Sequence, residues 1–126
     1  MKKIIFRGCG TAIATPFDKT GVNLDEFKKL LNFQIENQVD SIIVCGTTGE
    51  SATMTKEEKI SIIKCAVETS NKKIPIIAGT GSNNTNQTIE FSILAEKLGV
   101  DALLIVTPYY NKCTQTRFGR TLFYNC

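Results

Sequence analysis

The sequence has 126 residues, of which 42% are hydrophobic and 21% are charged, and these proportions exclude a disordered or a fibrous chain. The 15 basic and 12 acidic residues leave a net charge of +3 and form no long run of one sign, so nucleic acid is not an expected partner. The length allows one domain at most.

The N-terminal residues 1–7 combine basic side chains with a very short apolar stretch. This stretch is too short for a signal-peptide core or a membrane span, so we expect a cytoplasmic protein without a membrane partner. The five cysteines are dispersed without a C-x-x-C pair, and there is no histidine, which predicts reduced thiols and no metal site. Cys45 ends an apolar run and is expected to be buried rather than nucleophilic, since no histidine can act as its base.

Four apolar runs of strand length follow one another, at residues 11–15, 41–45, 74–78 and 102–106. The last three are almost continuously apolar, which is typical of parallel strands covered on both faces. Amphipathic helical patterns separate the runs. Asn23 is a candidate cap for the first helix, residues 55–58 form a capping box before the second, and Gly99 is a candidate stop after the third.

The repeat of about thirty residues indicates successive βα units, hence an α/β fold with a parallel sheet. A doubly wound sheet and an eight-stranded barrel both fit this pattern. The sequence has neither a G-x-G-x-x-G turn nor a P-loop, and a barrel of roughly 250 residues would reach its fourth strand near residue 106. We therefore favour the (β/α)8 TIM barrel, here represented by about its first four βα units.

Polar residues gather directly after each predicted strand, on the face where barrel enzymes place their catalytic loops. In the loop at residues 46–51, Gly46 and Gly49 allow a ligand to approach the backbone, and Thr47 and Thr48 offer hydroxyl groups that suit a small carboxylic acid. A polar turn whose threonines only satisfy backbone groups is the alternative.

The adjacent phenols of Tyr109 and Tyr110 lie on an irregular segment, so both cannot belong to the core of one element. They could relay protons or anchor an interface, and simple packing of the loop is the alternative.

Taken together, residues 46–53, residues 74–81 with Asn83, and residues 106–112 closely resemble the dihydrodipicolinate synthase family, or 4-hydroxy-tetrahydrodipicolinate synthases, among the pyruvate-dependent Schiff-base aldolases. The resemblance runs from about Arg7 to Gln115. It implies a cytoplasmic lyase of diaminopimelate and lysine biosynthesis that condenses pyruvate with aspartate semialdehyde through a lysine Schiff base. It implies no metal or organic cofactor, and a homotetramer built as a dimer of dimers.

The resemblance also implies roles for three residues. Thr47 would be a catalytic proton-relay hydroxyl, Thr48 would bind the pyruvate carboxylate, and Tyr110 would be a catalytic relay tyrosine lent across a dimer interface. The family takes a second tyrosine from its fifth strand and the Schiff-base lysine from its sixth, beyond this chain. We reject Lys112 as a substitute because it is predicted on a loop tip rather than in a desolvated pocket. This chain is therefore expected to be inactive alone.

Residues 1–115 are predicted to form the N-terminal half of a (β/α)8 barrel, and residues 116–126 a tail that does not follow the family, because Gly119 would interrupt the fourth helix. The family's lysine feedback site would use Asn83 and Tyr109, but Gln87 stands where an acidic residue is typical, which makes regulation doubtful. Two other functions stay open. They are a sister aldolase acting on sialic acid or keto-deoxy sugar acids, and a non-catalytic fragment that binds an anion or intact subunits.

Overall fold

The structure, a computed structural model, describes residues 4–110 together with 114, 116 and 119, and a four-stranded parallel sheet is its main feature. The elements in chain order are β1 (Gly10–Ala12), β2 (Phe17–Asp18), β3 (Gly21–Val22), α1 (Leu24–Glu36), β4 (Ser41–Val44), a 3-10 turn (Ser51–Thr53), α2 (Lys56–Ser70), β5 (Ile76–Gly79), α3 (Thr85–Lys97) and β6 (Ala102–Leu104). Helices alternate with the strands of the sheet, as the repeat of about thirty residues predicts.

The strand order is β1-β4-β5-β6, so each parallel strand lies beside the next one in sequence. Helices α1, α2 and α3 contribute to one core, in which Ile42, Val44, Ile76 and Ala78 are the buried sheet residues. These four side chains all point to the same face of the sheet, because they alternate along their strands and align across the register. A doubly wound sheet would reverse its strand order and carry helices on both faces, so the order confirms the barrel topology.

The predicted helix ends are confirmed in detail. Asn23 caps α1 by accepting a hydrogen bond from the Glu26 backbone nitrogen. Thr55 and Glu58 form the reciprocal capping box at the start of α2. Gly99 follows α3 with a φ of +92°, the left-handed conformation expected of a helix stop. Asn23 and Thr55 thus fix where α1 and α2 begin, and Gly99 fixes where α3 ends.

The bounds of all four predicted strands differ from the sequence prediction. β4 ends at Val44 rather than residue 45, β6 ends at Leu104 rather than residue 106, and β1 and β5 differ at both ends. The first strand covers Gly10–Ala12 rather than 11–15, although Ile13 still donates to the Ile43 carbonyl at 3.1 Å. β5 begins at Ile76 rather than residue 74, because Pro75 has no N–H to donate and the Ile74 nitrogen bonds to the Ser70 hydroxyl.

A small antiparallel hairpin of β2 and β3 was missed by the sequence analysis. Its turn is held by Asp18, whose Oδ1 accepts hydrogen bonds from the nitrogen and the hydroxyl of Thr20 at 2.7 and 2.6 Å. These bonds lower the pKa of Asp18. Paired strands of two residues are too short to leave a periodic signal.

The predicted tail at residues 116–126 lies outside the described residues except for Thr116 and Gly119. Both of these have a helical backbone, and the division of the chain at residue 115 stays a prediction. Among the described residues, no helix is long and apolar enough to cross a membrane.

Candidate functional site

The site begins where β4 and β5 end side by side. Cys45, directly after β4, has a φ of +55°, which turns the chain away from the sheet. Gly79, the last residue of β5, lies against this bend so closely that a Cβ there would overlap the Cys45 carbonyl oxygen. Only glycine fits, and its absent side chain lets the two strand-end loops lie together.

The loop at residues 46–51 is a series of tight turns. Gly49 donates to the Gly46 carbonyl at 3.2 Å, and Glu50 donates to the Thr47 carbonyl at 3.0 Å. The buried Thr15 hydroxyl, from the loop after β1, donates to the Gly49 carbonyl at 2.8 Å. This bond ties the loop that carries Thr47 and Thr48 to the neighbouring strand end, so its position is fixed from two sides.

The loop after β5 is anchored in a comparable way. The Thr80 nitrogen donates to the Leu104 carbonyl at 3.1 Å, and the buried Thr80 and Ser92 hydroxyls lie 2.8 Å apart. A Cβ at Gly81 would overlap the backbone nitrogen of Val106. The loops after β4, β5 and β6 are therefore in direct contact at one end of the sheet, as a barrel requires of its catalytic face.

A cavity of about 780 Å³ opens between these loops and the first turns of α2 and α3. Thr47, Gly79 and Tyr109 line it, so the structure brings together residues from three strand ends. Asn83 and Gln87, named with Tyr109 for the feedback site, line the same cavity.

Thr48 and Tyr110 do not line this cavity. Thr48 is exposed on the same turn as Thr47. Tyr110 is 97% exposed and has a φ of +63°, an unusual backbone conformation for a bulky residue. The two tyrosines therefore diverge, with Tyr109 facing the cavity and Tyr110 projecting away from the described part of its own chain.

Cys45 is buried, as the sequence analysis expected. Its thiol lies 3.9 Å from the Lys59 carbonyl oxygen, and burial raises the pKa of Cys45 to about 12. The group is thus a neutral thiol at physiological pH, which excludes thiolate nucleophilicity there.

Charged side chains from α2 and α3 were not anticipated at the site. Lys56, Lys59 and Glu90 line the cavity, and the Lys59 ammonium lies 5.9 Å from the centre of the Phe91 ring. The spacing of these charged residues along α2 and α3 is typical of a solvent-exposed helix face. Only the tertiary structure shows that they border the site. No three metal-ligating side chains cluster within the described part of the chain.

Comparison with known proteins gives concordant matches. The family model of the dihydrodipicolinate synthetase family matches residues 5–120. The 4-hydroxy-tetrahydrodipicolinate synthase 1 of Clostridium acetobutylicum is 59% identical over 111 residues, covering 88% of this chain and 38% of that protein. The chain thus spans about two fifths of the length of the curated relatives it matches.

Solved structures agree in fold. The chloride-inhibited dihydrodipicolinate synthase from Acinetobacter baumannii, complexed with pyruvate, superimposes with a TM-score of 0.91 at 45% identity, over 94% of this chain and 41% of that one. The enzyme from Cyanidioschyzon merolae with lysine bound gives a TM-score of 0.93 at 38% identity, over 98% of this chain and 42% of that one. These relatives are TIM barrels, and the sheet described above corresponds to an N-terminal part of that barrel. The family match over residues 5–120, together with the sequential parallel sheet, establishes that the chain belongs to the dihydrodipicolinate synthetase family.

Proposed function

We propose that this chain supplies the first four βα units of a 4-hydroxy-tetrahydrodipicolinate synthase, a lyase that condenses pyruvate with aspartate semialdehyde in lysine biosynthesis. The observation that carries the proposal is the turn of Thr47 and Thr48, held at the end of β4 by the Thr15 bond to Gly49, in a chain 59% identical to a protein of that name. The relative from Acinetobacter baumannii, which is complexed with pyruvate, supports the keto acid as one substrate.

Thr47 and Thr48 are proposed to hold and activate pyruvate. Their turn is tied down by the Thr15 bond to Gly49, so the two hydroxyls are held before a ligand arrives. We assign the pyruvate carboxylate to the Thr48 hydroxyl, which can donate to it. We assign proton transfer to the Thr47 hydroxyl, which can donate and accept in turn, as a relay requires.

Tyr110 is proposed to act in the site of a neighbouring subunit. Its side chain is almost fully exposed and its backbone is in the left-handed region, so the loop presents the phenol outward. An exposed phenol cannot relay protons efficiently in water, whereas burial in a partner's site would exclude water. This assignment agrees with the homo-oligomeric dimer of dimers that the family resemblance implies.

The Schiff-base lysine is proposed to come from outside this chain. Lys56 and Lys59 line the cavity but belong to α2, and the Lys59 ammonium lies over the Phe91 ring. Neither lies on a strand end, where barrel enzymes place groups that react with substrate. The 126-residue chain is thus expected to lack imine chemistry by itself. Lys112 lies outside the described residues.

The cavity beside the turn is proposed as a weak version of a lysine feedback site. Asn83 and Tyr109 line it, and the relative from Cyanidioschyzon merolae has lysine bound. Gln87 is neutral where the family resemblance implies an acid, while Lys56 and Lys59 are balanced in the wall by Glu50 and Glu90. A cationic ligand therefore loses one favourable charge interaction at Gln87.

A chimera tests the proposed function. Residues 1–115 are joined to the part of the Clostridium acetobutylicum relative that follows the matched region, and consumption of aspartate semialdehyde with pyruvate is measured. We expect activity, a loss of about 100-fold or more in kcat for Thr47→Val, and retention for the matched Thr47→Ser. Cleavage of a sialic acid or keto-deoxy sugar acid instead would identify a sister aldolase. Inactivity of a folded chimera on both substrate classes would support the non-catalytic alternative.

A further inference from the structure

The carboxylate of Glu58 lies between two segments that are distant in sequence. Its Oε2 accepts hydrogen bonds from the backbone nitrogen and the hydroxyl of Thr55 at 2.8 and 3.0 Å. Its Oε1 lies against the β2–β3 hairpin, 2.9 Å from the position that a Cβ on Gly21 would take. Hydrogen bonds from Thr55 and from the backbone of Val22 lower the pKa of Glu58. Glu58 thus joins the start of α2 to the hairpin.

The hairpin is held firmly at its base. The Asn23 nitrogen donates to the Pro16 carbonyl at 2.9 Å, which closes the hairpin where its two strands meet the rest of the chain. Val22 packs against the hydrophobic core. Thr15 directly precedes this base, so the hairpin and the Thr15 hydroxyl are parts of one segment after β1.

This segment is attached to the chain after β4 at two points. The Thr15 hydroxyl donates to the Gly49 carbonyl at 2.8 Å, within the loop at residues 46–51. Glu58 makes the second attachment, beyond the 3-10 turn that follows this loop. A single attachment would let the loop pivot, whereas two attachments also fix its orientation. The direction in which Thr47 presents its hydroxyl therefore depends on both.

We propose that Glu58 is a positioning residue for the reaction assigned to this chain, and that it orients Thr47 and Thr48 by linking α2 to the hairpin. The inference rests on the proposed function, since it concerns the same two hydroxyls. Glu58 does not line the cavity, so it acts through the loop between the two attachments. A capping box alone would need only the bonds between Glu58 and Thr55.

Glu58→Gln in the chimera separates the link to the hairpin from the helix cap. Glutamine serves a capping box as glutamate does, but it has a single acceptor oxygen, so its amide nitrogen would face the Val22 N–H. We expect kcat to fall about ten-fold and the KM for pyruvate to rise, because the two threonine hydroxyls lose their fixed orientation. A variant that is only less stable would lose kcat through its folded fraction and keep its KM.

The matched control is Glu57→Gln, which removes the same charge from the same first turn of α2. Glu57 is exposed, and its substitution should leave kcat and KM unchanged. Unchanged constants in Glu58→Gln, or an equal loss of kcat in Glu57→Gln, would overturn the proposal.

A double-variant cycle with Thr15→Val tests whether the two attachments act together. If both fix one orientation, the loss of either releases the loop. Thr15→Val combined with Glu58→Gln should then lower kcat little more than the larger single loss. Two independent roles would multiply the single losses, and that result would contradict the proposal.

Hydrogen exchange of the folded chimera gives a readout that does not need activity. Peptides that cover residues 17–22 and 46–51 should exchange faster in Glu58→Gln than in the wild type, whereas those of α3 should not. Unchanged exchange at residues 46–51 would overturn the proposal even in an active chimera. Faster exchange there in an inactive chimera would support the link through Glu58 and contradict only the proposed function.

Discussion

Substituting alanine for Gly79 perturbs the contact that brings the two strand-end loops together. A Cβ at this position would overlap the Cys45 carbonyl oxygen, and it would lie 2.7 Å from the Cys45 carbonyl carbon. Ordinary contacts of a Cβ begin near 3.4 Å, so the two backbones must separate by more than about 0.7 Å, because the oxygen is closer than the carbon. Both atoms belong to the main chain, and Cys45 is already in the left-handed region, so no side-chain rotation can relieve the overlap.

We expect Gly79→Ala to lower the free energy of unfolding by about 2–3 kcal/mol, the upper part of the range for overpacking. Gly46→Ala is the matched control in the same pair of loops, because its Cβ would meet only the Ile43 Cγ2 at 3.8 Å. The control should be neutral or slightly stabilising, since alanine restricts the unfolded chain.

Urea unfolding followed by circular dichroism, with all variants at one protein concentration, measures both free energies. A free energy of unfolding for Gly79→Ala within about 0.5 kcal/mol of the wild-type value would contradict this prediction. A loss for Gly46→Ala as large as that for Gly79→Ala would also contradict it, since the effect would then not come from the contact with Cys45.

Three further predictions concern the same region. Thr15→Val should lower the free energy of unfolding by about 1–3 kcal/mol, because it leaves the Gly49 carbonyl without its buried donor. Thr15→Ser keeps the hydroxyl and should keep most of the stability. Urea unfolding of both variants measures the difference. Burial raises the pKa of the Cys45 thiol in the folded chain to about 12. The unfolded chain therefore loses this proton at a lower pH than the folded chain. The contribution of this thiol to the free energy of unfolding is complete below about pH 9 and should be lost toward pH 12. Cys45→Ala should remove that loss of about 4 kcal/mol in the free energy of unfolding, measured by urea unfolding as a function of pH. In the active chimera, Gln87→Glu should lower the lysine concentration that gives half-maximal inhibition about five-fold, because a charged acceptor replaces a neutral one. An unchanged inhibition curve would show that residue 87 does not contact the bound lysine.

Much of the fold was predictable because its signals are local. The Asn23 cap, the Thr55 capping box and the Gly99 stop each involve residues within one helical turn, and all three are confirmed. The β2–β3 hairpin was missed because its strands are too short for periodicity. The start of β5 was placed too early because a strand tolerates proline near its start, and the sequence does not show that the Ile74 nitrogen bonds to the Ser70 hydroxyl instead of to the sheet.

The candidate site was less predictable because its partners are distant in sequence. The sequence indicated that Thr47, Thr48 and the Gly79 loop face a common pocket. Thr47 and Gly79 line one cavity, whereas Thr48 does not. It could not show that Thr15 supports the turn from 34 positions away, or that Tyr109 and Tyr110 point in different directions. Those arrangements depend on packing between strand ends, for which a single sequence has no periodic signal.

Borohydride trapping with pyruvate, followed by mass spectrometry of peptides, tests the central claim most directly. The claim is that this chain provides the hydroxyl groups of the site and that the imine-forming lysine lies outside it. We predict no pyruvate adduct on the 126-residue chain, and one adduct on the chimera, located on a lysine of the segment from the Clostridium acetobutylicum relative. An adduct on Lys56, Lys59 or any other lysine of this chain would contradict the account.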